Sequence, residues 1–130
     1  MTTPKFSDNS LVVYQDGIYR VLDLATDGPG YHYKLLLVAY QRDMEPAEFH
    51  QETITPQQIN VEESLLSEFK DKAPRFKFGE GVRLNGEINC LVKFVEYKNY
   101  KYYYVVREKV HWSSELQDGW EVEESYLQKW

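Results

Sequence analysis

Cysteine is nearly missing from this chain of 130 residues: Cys90 stands alone, so no internal disulfide framework staples it, and a reducing compartment suits it. Long apolar runs are missing too. No stretch approaches the ~20 apolar residues a membrane-spanning helix requires, and no charged segment leading into an apolar run marks a secretory leader. The expected location is therefore cytoplasmic, with no membrane partner. Positive charge is in deficit, with 15 Lys and Arg against 21 Asp and Glu and a net charge of -6. That average field repels polyanions and weighs against a nucleic-acid partner.

Motifs that carry chemistry are also absent. There is no cysteine pair, no pair of histidines at helical spacing and no cluster of histidines with carboxylates, so no metal is expected. Gly28-Pro29-Gly30 and Gly79-Glu80-Gly81 lack the lysine or helix of a phosphate cradle. Cys90 with His32, His50 or His111 would make a thiol–imidazole pair, but Cys90 is in phase with Ile88 and Val92 on a core-facing strand side, where a thiol acts as a small hydrophobe. The expectation is a chain that is not an enzyme and holds no cofactor.

What the chain has in excess is tyrosine, with eleven copies in a composition that is 42% hydrophobic and 15% aromatic. Such a chain buries an ordered core. Residues 1–9 are polar with one proline and read as a flexible leader. Two β-rich runs then flank Asp16-Gly17, and a third run, Tyr31 to Val38, follows. Asn60 and Glu63 have capping-box spacing, and Val61, Leu65 and Phe69 fall at steps of four. A short amphipathic helix is therefore expected from about Val61 to Lys72, closed by Pro74. Beyond it the pattern restarts: a hairpin around Asn85-Gly86, a long strand Lys98 to Arg107 rich in tyrosine, a polar segment, and a short strand near Val122.

The halves match. Ile18, Leu22 and Leu24 correspond to Ile88, Val92 and Phe94; Tyr33, Leu35 and Leu37 to Tyr102, Tyr104 and Val106; and Ile54 to Ile59 to Val122 to Leu127. Four elements in the same order argue for tandem duplication. About five short strands per unit, with tight turns and one longer loop, read as a small barrel.

This order resembles the SH3-like barrel superfamily. Gly119-Trp120-Glu121-Val122-Glu123-Glu124-Ser125-Tyr126-Leu127 looks like the end of such barrels, where a strand passes through one 3-10 turn into the last strand. Phe78-Gly79-Glu80-Gly81-Val82-Arg83-Leu84 is similar to the start of KOW- or Tudor-type members. The resemblance implies an all-β fold of two tandem SH3-like small barrels joined by a short α-helix. The first barrel would span residues 10–60, the linker helix 61–74 and the second barrel 75–130. The motif and paired tryptophan of signalling SH3 domains are missing, so proline-motif binding is not carried over.

Both faces of the two long strands are apolar, so something must cover the second face of each. A neighbouring unit, the linker or a partner would do so, and self-association is one form of this. Tyr97, Tyr100, Tyr103, Trp112 and Trp120 are the candidate partner-binding residues, since aromatic rings at strand ends can form a cage for a cation. Lys98, Lys101 and Arg107 are the candidate strip for nucleic acid, with Tyr103 as a stacking ring. Glu115, Asp118, Glu121, Glu123 and Glu124 make an acidic cluster suited to a basic partner, or simply a solvated rim. The favoured reading is an adaptor or regulatory protein-binding module that uses aromatic and acidic surface. The alternatives are a KOW- or Tudor-like nucleic-acid binder and an inhibitor or accessory protein of mobile-element or phage origin.

Overall fold

A computed structural model describes residues 3–25, 30–45, 57–108 and 119–130. The chain is mostly β, and the described residues form ten strands in one mixed sheet. They are β1 (Leu11–Tyr14), β2 (Gly17–Ala25), β3 (His32–Tyr40), β4 (Gln58–Glu62), β5 (Ser67–Glu68), β6 (Gly81–Leu84), β7 (Ile88–Lys98), β8 (Lys101–Glu108), β9 (Trp120–Glu123) and β10 (Leu127–Lys129). A 3-10 turn, Glu63–Leu65, joins β4 to β5, and a second, Glu124–Tyr126, joins β9 to β10.

Period-two burial explains the strands. Along β3, Tyr33, Leu35, Leu37 and Ala39 are buried while the residues between them are exposed or half-buried. The two halves repeat one order of pairing. β1 pairs with β2 and β5, β2 with β3, and β3 with β4; likewise β6 pairs with β7 and β10, β7 with β8, and β8 with β9. All of these are antiparallel, and one parallel bridge, Tyr40 to Glu96, ties β3 to β7 and makes the sheet continuous.

The linker helix does not form. Among the described residues there is no α-helix, and the expected helical span is instead the end of β4, a 3-10 turn and β5. The physical reason is register: Val61 is buried opposite Tyr33, whereas Leu65 is 58% exposed, so the supposed stripe does not share a face. Glu63 is drawn away from capping by a tertiary partner, the Tyr33 hydroxyl.

The leader is anchored at Phe6. Its ring is buried edge-on against Tyr33, and its backbone N–H donates to the Tyr33 hydroxyl at 3.2 Å. The repeat therefore begins earlier than its strands. Asn9 N–H bonds to the Val21 carbonyl as Gly79 N–H bonds to that of Val92, and Asn9 and Gly79 both hold positive φ, at 69° and 80°.

Registers also differ from the sequence alignment. Tyr33 faces Leu24 and Val61, and Tyr104 faces Val95 and Val122. Tyr33 thus corresponds to Tyr104, not Tyr102, an offset of 71 (104 minus 33). Val61 corresponds to Val122, an offset of 61, so the described counterpart of Val122 is Val61; of the expected segment Ile54 to Ile59, residues 54–56 lie outside the described residues.

The larger core cluster joins both halves: Ile18, Leu37, Ala39 and Met44 pack with Phe76, Phe94, Val95, Val105 and Leu127. A smaller one, around Val12, Val21, Tyr33, Leu35 and Leu66, belongs to the first half. This answers which surface covers the second face of β8: Val105 is fully buried in the shared cluster, and Tyr103 is half-covered.

Candidate functional site

A duplicated polar cluster supports the walls of the site. In the first half Tyr33 Oη donates to Glu63 Oε2 at 2.6 Å, and the Lys5 N–H donates to the same oxygen at 3.0 Å. In the second, Tyr104 Oη donates to Glu124 Oε2 at 2.5 Å, and the Arg75 N–H donates to it at 3.1 Å. Tyr104 Oη in turn accepts the N–H groups of Arg75 and Phe76 at 3.1 and 3.4 Å. Phe76 meets Tyr104 edge-on at 5.5 Å and 73°, as Phe6 meets Tyr33 at 5.6 Å and 74°. Burial, then the bond to the carboxylate, raises the pKa of each tyrosine, while the Tyr33 bond holds Glu63 below its usual range. Each cluster thus fixes a 3-10 turn to the segment that opens its half of the chain. The signal in the sequence was the pair Lys5-Phe6 and Arg75-Phe76 at an offset of 70 (75 minus 5), which lies outside the strands that pattern reading compares.

In the second half this clamp forms one wall of a groove of about 420 Å³, bounded by Asp71, Lys72, Arg75, Tyr100, Lys101 and Glu124. Tyr100 stands at its mouth on the β7–β8 turn, 87% exposed. The turn residues Asn99 and Tyr100 both hold positive φ, 53° and 65°. Two consecutive left-handed residues are the pattern of a two-residue hairpin in which glycine is the favoured second residue, and a tyrosine there is a conformational outlier.

The predicted aromatic residues do not converge. Tyr97 packs edge-on against Phe69 at 5.1 Å and donates its hydroxyl to Asp71. Burial, then Asp71, pushes the Tyr97 hydroxyl up to about 12. Tyr103 lies on β8 beneath the Lys98 ammonium, 4.8 Å from the ring centroid. Trp120 is half-buried against the shared core. Of the proposed cage, Tyr100 alone offers an open face among the described residues; Trp112, with His50, His111, Glu115 and Asp118, lies outside them.

No family model, curated protein or solved structure matches the chain. The site therefore has to be read from its own chemistry.

The basic strip is largely occupied by the protein itself. Lys98 Nζ donates to Glu121 at 2.5 Å and to Asp43 at 2.9 Å. Burial works against its charge, but those two carboxylates prevail and raise its pKa. Lys101 Nζ is 3.6 Å from Glu123, and Arg107 is half-buried opposite Leu91. Glu121 and Glu123, from the predicted acidic cluster, are thus partners of these lysines.

Burial also shifts Glu96, which pattern reading passed over, and Cys90, which it placed in the core. Glu96, on β7, is fully buried; its Oε2 accepts the Met44 N–H at 2.7 Å, and its Oε1 meets no hydrogen-bond donor among the described residues. Burial, then the adjoining Glu121 carboxylate, pushes Glu96 up to about 7. Burial works against the charge of Glu121, but its contacts with Glu96 and Lys98 prevail and hold it low. Cys90 is fully buried, and burial, with Glu108 adding to it, pushes its thiol up to about 11. Among the described residues no group of three or more His, Cys, Asp and Glu could hold a metal.

Proposed function

We propose that this chain is a non-enzymatic, cytoplasmic protein-binding module, an adaptor or regulatory subunit, that takes an extended segment of a partner into the groove beneath Tyr100. We further infer that its two halves are tandem SH3-like barrels. The repeated pairing circuit, with a 3-10 turn returning each last strand to its first, supports that finer reading.

The observation that carries the functional reading is Tyr100. Left-handed backbone disfavours a side chain by roughly 1–2 kcal/mol, and an exposed ring recovers none of this by burial. Backbone held against its own preference clusters at functional positions, and exposed tyrosine is a common anchor at protein interfaces. The groove provides both signs of charge around that ring, as a polar rim does.

Tyr100→Gly is the test. It relaxes the turn and should raise stability by about 0.5–1 kcal/mol, less than the full strain because glycine also gains freedom in the unfolded chain. Wild type and Tyr100→Gly are used as baits in lysate from the source cells, with captured proteins compared by mass spectrometry. A partner held by the wild type and lost from the more stable variant supports the groove. Identical captures from both baits refute it.

A further inference from the structure

Arg75 lines the groove, and the segment that carries it, Pro74 to Phe78, closes a second cavity, of about 230 Å³, on the seam between the two halves. The walls of this cavity are apolar: Leu36 and Val38 from the outer face of β3, with Pro74, Phe76 and Phe78 across from them. Among the described residues the charges that line it are all cations, Arg20, Arg75 and Lys77, with no carboxylate beside them. In a chain of net charge -6 this runs against the average.

Arg20 is placed there by register. It pairs with Leu36 across the β2–β3 ladder and so shares the face of Leu36 and Val38. Its Nε is buried and meets no hydrogen-bond acceptor among the described residues. A buried guanidinium N–H without an acceptor is unfavourable, since arginine has five donors and no means of losing its charge. The need is for an acceptor, and a carboxylate answers it with the strongest geometry.

We propose that this pocket receives the C-terminal residue of a partner chain, its aliphatic side chain against Leu36, Val38, Phe76 and Phe78 and its free carboxylate on Arg20 and Arg75. The volume is below the ~300 Å³ at which small-molecule sites usually begin, and it suits one large side chain. Apolar contact and negative charge must then come from a single residue, which a C-terminal aliphatic residue provides. The inference rests on the reading of the chain as a peptide-binding module, and Arg75, shared by both cavities, connects the pocket to the groove.

N-acetyl-leucine is the probe, a minimal C-terminal residue, titrated into isotopically labelled full-length protein and followed by amide chemical shifts. Saturable shifts are expected at Arg20, Leu36 to Val38 and Phe76 to Phe78, with a Kd on the order of millimolar for so small a ligand. N-acetyl-leucinamide, which lacks the carboxylate, and N-acetylglycine, which lacks the side chain, should each bind at least tenfold more weakly. Arg20→Met should lose the same factor with its spectrum otherwise intact, and the amide comparison decides the matter if that variant does not fold. No saturable shift up to tens of millimolar, shifts centred elsewhere, or equal binding of acid and amide overturns the proposal. Tyr100→Gly should leave probe binding unchanged. A Tyr100-dependent partner without probe binding therefore removes only the pocket, and probe binding without such a partner removes only the groove.

Discussion

Glu96→Gln is the perturbation that most directly tests the buried acid pair. Glu96 is sealed in the seam, backbone-bridged to Tyr40 and accepting the Met44 N–H, and it faces Glu121 on β9, with Lys98 further along its own strand and Tyr103 opposite it on β8. Its pKa rises from 4.5 to about 7 on folding, through burial first and Glu121 second. Between those values the folded chain binds more protons than the unfolded one, so stability falls as pH rises. The contribution is fully present below about pH 4.5 and lost through about pH 7, and a shift of that size corresponds to roughly 3 kcal/mol. Glutamine keeps an oxygen for Met44 and gives Glu121 a permanent N–H donor, imitating the protonated acid at every pH. Urea unfolding followed by tryptophan fluorescence from pH 4.5 to 8.5 should show the two proteins nearly equal at the acid end. The variant should be more stable by about 2–3 kcal/mol at pH 8, or roughly 10 °C in Tm for a domain of this size. Parallel pH profiles for the two proteins would refute the reasoning, because the difference between them isolates this one group.

Further expectations concern the clamps and the thiol. Tyr104→Phe leaves the Arg75 and Phe76 N–H groups and Glu124 without a shared partner and should lower stability by about 2–3 kcal/mol in denaturant titration; Tyr33→Phe should lose about 1–3 kcal/mol. The two clamps share no residue, so the double variant should be additive within about 0.5 kcal/mol, and strong coupling would contradict their independence. The Cys90 thiol, fully buried and pushed to about 11, should react with a disulfide reagent at pH 8 only at the rate of unfolding. Reaction as fast as that of a free thiol would show the β6–β7 face to be open.

Much of the fold was legible. The two hairpins, the long strands and the doubled order of elements follow from alternation and turn residues, which act over a few positions and leave a direct imprint on sequence. Asn85-Gly86 lies in the tip of its hairpin with both residues at positive φ. Cys90 fills a core position, as its phase with its neighbours implied. The placement of the aromatic residues expected to form a cage was not legible, because where Tyr97, Tyr103 and Trp120 point depends on which strand lies beside them. Tyr97 is taken up by Phe69 and Asp71, and Tyr103 by Lys98.

The sequence alone determined that this chain is mostly β, that it repeats itself and that its tyrosines would be largely structural. Tertiary structure decided the rest. Asn60 and Glu63 have the spacing of a helix cap, but Glu63 bonds to Tyr33, thirty residues away, and Val61 is buried against that same tyrosine in a strand. Phe6 looks like part of a polar leader until Tyr33 covers it. Glu96 reads as one acid among many until Tyr40, Met44 and Glu121 close around it. Arg20 faces an apolar pocket only because β2 and β3 meet the chain's own residues 74–78. Local preferences are small, a few tenths to about one kcal/mol per residue, and burial or one charge-assisted hydrogen bond outweighs them once distant residues meet.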